Sequence, residues 1–157
     1  SKSLTGGTVP LAATIANDRV FEAFLDDDLN KALMHGPTFT GNALACAAAN
    51  ASLDLFETEP RLEQVHTIEA HLRTALEPCR NVKGAWGNVV DVRVAGAIGV
   101  VELDDIQDMN RLRARFIEAG CWIRPFGKIV YLMPAFTIAE DDLAVLTDTV
   151  VRVIGET

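Results

Sequence analysis

The spacing of apolar residues changes once, sharply, after Asn81, and that change restricts what the second half of the chain can fold into. Val90, Val92 and Val94 alternate with Asp91 and Arg93, the two-residue repeat of a strand with one buried face. Ala97 to Leu103 is a second apolar strand, with Gly96 and Gly99 marking a turn or bulge. Met109 to Ala119 returns to helical spacing and is closed by Gly120 at its C′ position. Cys121 to Arg124 and Lys128 to Met133 read as two short strands on either side of Pro125-Phe126-Gly127. Glu140, Asp141 and Asp142 place negative charge at the start of a last helix, where it complements the helix dipole. The inward face of that helix is Leu143, Leu146, Val150 and Val153. The order strand, strand, helix, strand, strand, helix predicts an α+β unit: a mainly antiparallel sheet with helices on one face.

Upstream of Asn81 the pattern is helical and interrupted. Leu11 to Ala16 is a short β-compatible run, and Asn17 or Asp18 can cap a helix through Val20, Phe21, Phe24 and Leu25. Asp26-Asp27-Asp28 lacks the alternation and the glycine of a calcium loop and reads as a solvated cluster. A loop punctuated by Gly and Pro, Met34 to Asn42, ends where Asn42 can cap an Ala-rich helix of about residues 43–57. Its small side chains suit close approach to a neighbouring backbone. Pro60 fits the first turn of a further helix, with Leu62, Val65, Ile68, Leu72 and Leu76 inward and an end near Pro78. These signals divide the chain into residues 1–41, the edge of a larger domain; residues 42–80, connecting helices; and residues 81–157, a small α+β domain.

Composition narrows the function classes. Twenty-two acidic against fourteen basic residues give a net charge of −8, which argues against a nucleic-acid binder and against attachment to anionic lipid. An apolar content of 49% over 157 residues is enough for a real core. No apolar run approaches the roughly 20 residues of a membrane span. Cys46, Cys79 and Cys121 are odd in number and widely spaced, which predicts reduced, buried thiols in a cytoplasmic protein rather than a disulfide framework or a metal site.

Few residues can carry chemistry. Lys2 lies beside Ser3 and Thr5 and runs into Gly6-Gly7; a lysine held in a confined place can lose its proton and attack a carbonyl. His35 is a candidate base without an acidic neighbour in sequence. The Thr38 hydroxyl, with nearby backbone N–H groups, can meet a phosphate. Arg124, beside Trp122, Pro125 and Phe126, suits bidentate capture of a carboxylate, and Tyr131 can face the same corner. No Gly-rich P-loop, CxxC, HExxH or GxSxG motif occurs.

Together these stretches resemble the C-terminal part of a class III, fold-type I pyridoxal-phosphate aminotransferase. The resemblance is carried by Lys2-Ser3-Leu4-Thr5-Gly6-Gly7, by Met34-His35-Gly36-Pro37-Thr38-Phe39, by Asn42 to Ser52, by Asp91 to Val94 with Gly96 to Val100, and by Trp122-Ile123-Arg124-Pro125-Phe126-Gly127 with Tyr131-Leu132-Met133-Pro134. It implies a small C-terminal domain with a remnant of the large domain, from a parent with a three-layer α/β architecture. It implies pyridoxal 5'-phosphate as cofactor, bound covalently by Lys2, which also moves the substrate proton. Thr38 is implied to bind the cofactor phosphate of a partner subunit, so that the sites are shared in a homodimer. Gly36, Arg124 and Tyr131 are implied to bind substrate, with Arg124 on its carboxylate. The tryptophan-arginine-proline-phenylalanine stretch implies S-adenosylmethionine as amino donor and 8-amino-7-oxononanoate as acceptor, a step of biotin synthesis.

Two departures touch the pocket wall: Ser1 where the family has Gly, and Pro134-Ala135-Phe136 where it has Pro-Pro-Tyr. The resemblance covers about the last third of a family chain, which implies a fragment inactive alone. Two other readings are a fragment of another class III ω-aminotransferase and a non-catalytic α+β interaction module.

Overall fold

The computed structural model describes residues 2–157, so Ser1 and its departure from the family pattern lie outside the described residues. The chain divides into two compact units, the first ending at Pro60 and the second running from Arg61 to Thr157.

In the first unit, Asn17 caps α1 (Asp18–Glu22), its side chain accepting from Val20 N. The helix stops at Glu22, and Phe24 and Leu25 continue only as turns. The predicted strand at Leu11 to Ala16 does not form: among the described residues the run is irregular chain and joins no sheet. The Asp26-Asp27-Asp28 cluster is exposed, with Asp26 paired to Lys31 and accepting from Asp28 N. Asn42 Oδ1 accepts from Leu44 N at 3.0 Å, and α2 (Ala43–Thr58) follows.

In the second unit, α3 (Arg61–Ala75) leads into the sheet β1 (Lys83–Gly84), β2 (Gly87–Ala95), β3 (Ile98–Leu103) and β4 (Ile129–Leu132). The strands lie in that order and every neighbouring pair is antiparallel. Between β3 and β4 comes α4 (Met109–Glu118), capped by the Asp108 side chain, with Gly120 at positive φ just past its end. The chain then closes with α5 (Glu140–Ile154). Ile68, Leu72 and Leu76 from the α3 segment, Val92, Val101 and Val130 from the sheet, Leu112 and Phe116 from α4, and Val150 and Val153 from α5 form one buried core.

Several details differ from the sequence reading. In β2 the register slips between Val89 and Asp91, so Val89 turns inward and Val90 is exposed. Simple alternation counted from Val92 misses that extra residue. Leu62 is exposed because the sheet-covering part of α3 begins one turn later, at Val65, which lies against the β2–β3 turn at Gly96. α3 ends at Ala75, three residues before Pro78, and Pro78 sits in a 3₁₀ turn. Gly99 is no turn residue. It pairs within β3, where a Cβ would stand 2.8 Å from Leu76 Cδ1, so its role is close approach of helix and sheet.

Cys121 to Arg124 runs without ladder partners. Only Phe126 bridges to Ile129, which makes the second predicted hairpin a single strand with an irregular lead-in. Of the three thiols, Cys79 and Cys121 are buried, and burial pushes Cys79 up to about 11. Cys46 is exposed in the chain as it stands, against the prediction of a buried thiol. No helix among the described residues is long and apolar enough to cross a membrane.

Candidate active site

The lysine-bearing loop is fixed by small polar groups. Thr5 is buried, and its hydroxyl donates to the Val9 carbonyl at 2.5 Å. Thr8 Oγ1 donates back to the Thr5 carbonyl at 2.8 Å, and Gly6 N donates to the Ser3 carbonyl. Gly6 and Gly7 take φ of 60° and 79°, the left-handed region that a glycine enters at little cost. One stripe of α2 faces this loop. Ala45 and Ala49 are buried along it, and Ser52, one step further, donates its hydroxyl to the Ser3 carbonyl at 3.2 Å. The Ala-rich composition of α2 thus serves the close helix-to-backbone approach that small residues permit. Ser52, which holds the residue next to Lys2, was not singled out from sequence; its signal was its place seven residues beyond Ala45 on that stripe.

Lys2 itself is exposed, and among the described residues its amino group has no acceptor and no carboxylate partner. His35 and Gly36 lie in exposed, irregular chain, and a Cβ added at Gly36 would meet nothing within 4 Å. Thr38 lies in the turn ahead of α2, where Thr40 N donates to the Pro37 carbonyl and Asn42 N to the Phe39 carbonyl. The Thr38 hydroxyl has no partner among the described residues. It stands four residues before the Asn42 cap, on the side of the helix end where backbone N–H groups favour an anion.

In the second unit, the structure brings Arg124 and Tyr131 together. Along Cys121 to Pro125 exposure alternates: Cys121, Ile123 and Pro125 are buried, while Trp122 and Arg124 are exposed. Opposite them β4 ends, with Val130 and Leu132 in the core and Tyr131 half-buried on the other face. Between these segments is a cavity of about 370 Å³ lined by Trp122, Arg124, Tyr131, Met133, Pro134 and Leu146, among others. Phe126, grouped with Arg124 from sequence, instead projects from the turn before β4 and is 73% exposed. Arg124 is the sole charged residue among those lining the cavity, and no hydrogen-bond acceptor or carboxylate among the described residues engages its guanidinium. Other arginines of this unit are engaged: Arg93 bonds Asp91 and Glu102, Arg115 bonds Glu156, and Arg111 lies 5.5 Å over the Trp86 ring. A guanidinium left open in such a concavity has the geometry to accept a carboxylate.

The class III aminotransferase family model matches residues 1–154, and the chain belongs to that family. Class III aminotransferases depend on pyridoxal phosphate. The chain is 41% identical over 143 residues to the adenosylmethionine-8-amino-7-oxononanoate aminotransferase of Corynebacterium glutamicum, covering 91% of this chain and 33% of that one. The solved structure of the enzyme of the same name from Methanocaldococcus jannaschii superposes with a TM-score of 0.80 at 31% identity, covering 96% of this chain and 36% of that one. An ornithine aminotransferase from Toxoplasma gondii, with pyridoxal phosphate partly occupying its active site, gives a TM-score of 0.78 at 26% identity, covering 98% and 35%. The chain thus spans about a third of the length of the relatives it matches. The likeness supports a mixed helix-and-sheet piece with the class III aminotransferase fold, about a third of a whole chain.

Proposed function

We propose that this chain supplies the lysine, one phosphate anchor and the carboxylate clamp of a pyridoxal-phosphate-dependent aminotransferase. The reaction is transfer of an amino group from S-adenosylmethionine to 8-amino-7-oxononanoate, giving 7,8-diaminononanoate. The donor set suits the cofactor: a primary amine, a loop hydroxyl ahead of a helix N-terminus and a guanidinium, none of them engaged among the described residues. When bound, the cofactor supplies the electron sink that makes the α-hydrogen of an amine labile.

The chain's own residues do the rest. Lys2 Nζ attaches the cofactor and takes and returns the substrate proton. The Thr5 and Ser52 hydrogen bonds hold its loop so that the amine is presented at a set place. Thr38 donates its hydroxyl to the phosphate, in a site shared between two copies of the protein. Gly36 leaves room for the acceptor's carboxylate to approach the backbone, Arg124 binds that carboxylate, and Tyr131 lines the channel to it.

The observation that carries this reading is the unpartnered Arg124 in a cavity with Tyr131, on a chain of this family. The decisive variant is Arg124→Ala in the full-length protein. Loss of a charge-assisted pair of hydrogen bonds corresponds to about a 10- to 100-fold rise in KM for 8-amino-7-oxononanoate. The half-reaction with S-adenosylmethionine should change much less. An unchanged acceptor KM, with ornithine or another ω-amine used as well as S-adenosylmethionine, would move the assignment to a different aminotransferase of the class.

A further inference from the structure

We propose that Trp122 is a specificity-determining residue of the Arg124 cavity: it provides an apolar bed for the body of the carboxylate ligand and so selects a long aliphatic monocarboxylate over a short one. The inference rests on the carboxylate reading of Arg124 and adds a second contact to it.

Three observations lead there. First, Trp122 is 75% exposed, while its neighbours Cys121 and Ile123 are buried in the core. Exposing an indole leaves unclaimed one of the largest apolar surfaces a side chain offers. Second, the alternation along Cys121 to Pro125 puts Trp122 and Arg124 on the same side of an extended segment, roughly 7 Å apart along the chain, and both line the one cavity. Third, the cavity has a single cationic end. Leu132, Met133, Pro134 and Leu146 complete an apolar wall, and Tyr131 adds one hydroxyl. A dicarboxylate would find no second cation among the lining residues. A ligand with one carboxylate and an aliphatic chain matches the charge at one end and the apolar surface beyond it. The guanidinium does not cover the indole itself; the arginine stacked on a tryptophan here is Arg111, on Trp86. Most of the Trp122 side chain is open to solvent and so available to a ligand.

Because Trp122 is so exposed, its replacement leaves the core intact, which an unchanged melting profile verifies. The test is calorimetric titration of the chain and its variants with octanoate, butyrate and octylamine. Octanoate should bind at least tenfold more tightly than butyrate, and octylamine should not bind at this site. Trp122→Ala should bring octanoate down to the affinity of butyrate and leave butyrate unchanged, and Trp122→Phe should restore most of the difference. Equal affinities for the two acids in the unaltered chain, no binding of either, or an equal effect of Trp122→Ala on both would overturn the proposal. Arg124→Gln separates the two levels. If it abolishes binding of both acids while Trp122→Ala has no chain-length effect, the clamp stands and the Trp122 role falls; if octanoate still binds to Arg124→Gln, the carboxylate reading itself falls.

Discussion

The two halves of this chain are built to opposite rules. Residues 61–157 bury a continuous core in which Leu72, Leu103, Leu112, Phe116 and Val153 are all fully enclosed. Up to Pro60, the buried side chains are Thr5, Ala45 and Ala49, two small apolar groups and a hydroxyl. The same stretch leaves Ile15, Leu29, Met34, Phe39 and Leu44 more than three-quarters exposed. Burial of apolar surface is the main favourable term in folding, so the second unit supplies its own stability and the first does not. Chemistry is divided the other way. The proposed cofactor amine, Lys2, and the proposed phosphate anchor, Thr38, belong to the poorly covered unit, while the well-packed one holds Arg124, the proposed carboxylate clamp.

The largest expected effect contrasts two glycines at positive φ. At Gly87, φ is 125° and a Cβ would lie 2.2 Å from the Asp105 backbone oxygen, which no rotamer relieves. Gly87→Ala should cost on the order of 4 kcal/mol, strain and overpacking together, read by urea unfolding. Gly41 has φ of 67° with nothing within 4 Å, so Gly41→Ala should cost about 1 kcal/mol of local strain and leave the unfolding of residues 61–157 unchanged. Equal costs would erase the contrast between the units.

Thiol chemistry sharpens it at the next level. Alkylation at neutral pH mapped by mass spectrometry should label Cys46 promptly. Cys79, whose burial raises it to about 11, and buried Cys121 should be labelled only when urea is added. Prompt labelling of Cys79 in the native chain would mean that the second unit opens as readily as the first.

The smallest effect is a pH dependence of the second unit. Asp104 is held below its ordinary value of 3.8, first by the Asn88 side chain, which donates at 2.6 Å, and then by Asn88 N and Asp105 N. A lowered carboxylate contributes stability above its unfolded value and loses it as pH falls through the folded one. The melting temperature of residues 61–157 should thus decline slightly below pH 3.8, and Asp104→Asn should flatten that decline. An identical decline in the variant would assign it to other carboxylates.

Legibility from sequence follows the same division. In the second unit periodicity translated into structure because a buried face enforces it, as with Leu143, Val150 and Val153 on α5. It failed where the sheet departs from regular pairing: at the β2 bulge, which exposes Val90, and at Cys121 to Arg124, which has apolar alternation but no neighbouring edge. Alternation records which side of an extended chain is buried; it says nothing of whether another strand is there to pair. The sequence grouped Arg124 with Trp122, Pro125 and Phe126 and named the segment a strand; the structure leaves it unpaired, with Trp122 and Arg124 exposed on one side and Pro125 buried. In the first unit, caps were legible because Asn17 and Asn42 bond within three residues of themselves. The Leu11 to Ala16 strand was not, since its partner would have to be non-local. Lys2, Thr38 and Gly36 were picked out by residue type and resemblance. Their convergence with Arg124 on one cofactor and substrate is part of the proposed function.

The most direct test is on Lys2. The full-length protein is loaded with pyridoxal phosphate, reduced with borohydride, digested and mapped by mass spectrometry. The account predicts a pyridoxyl group on Lys2 in the wild type, and loss of both that label and the bound cofactor's visible absorbance in Lys2→Ala. Stoichiometric label on Lys31, Lys83 or Lys128, or an undiminished absorbance in Lys2→Ala, would contradict it.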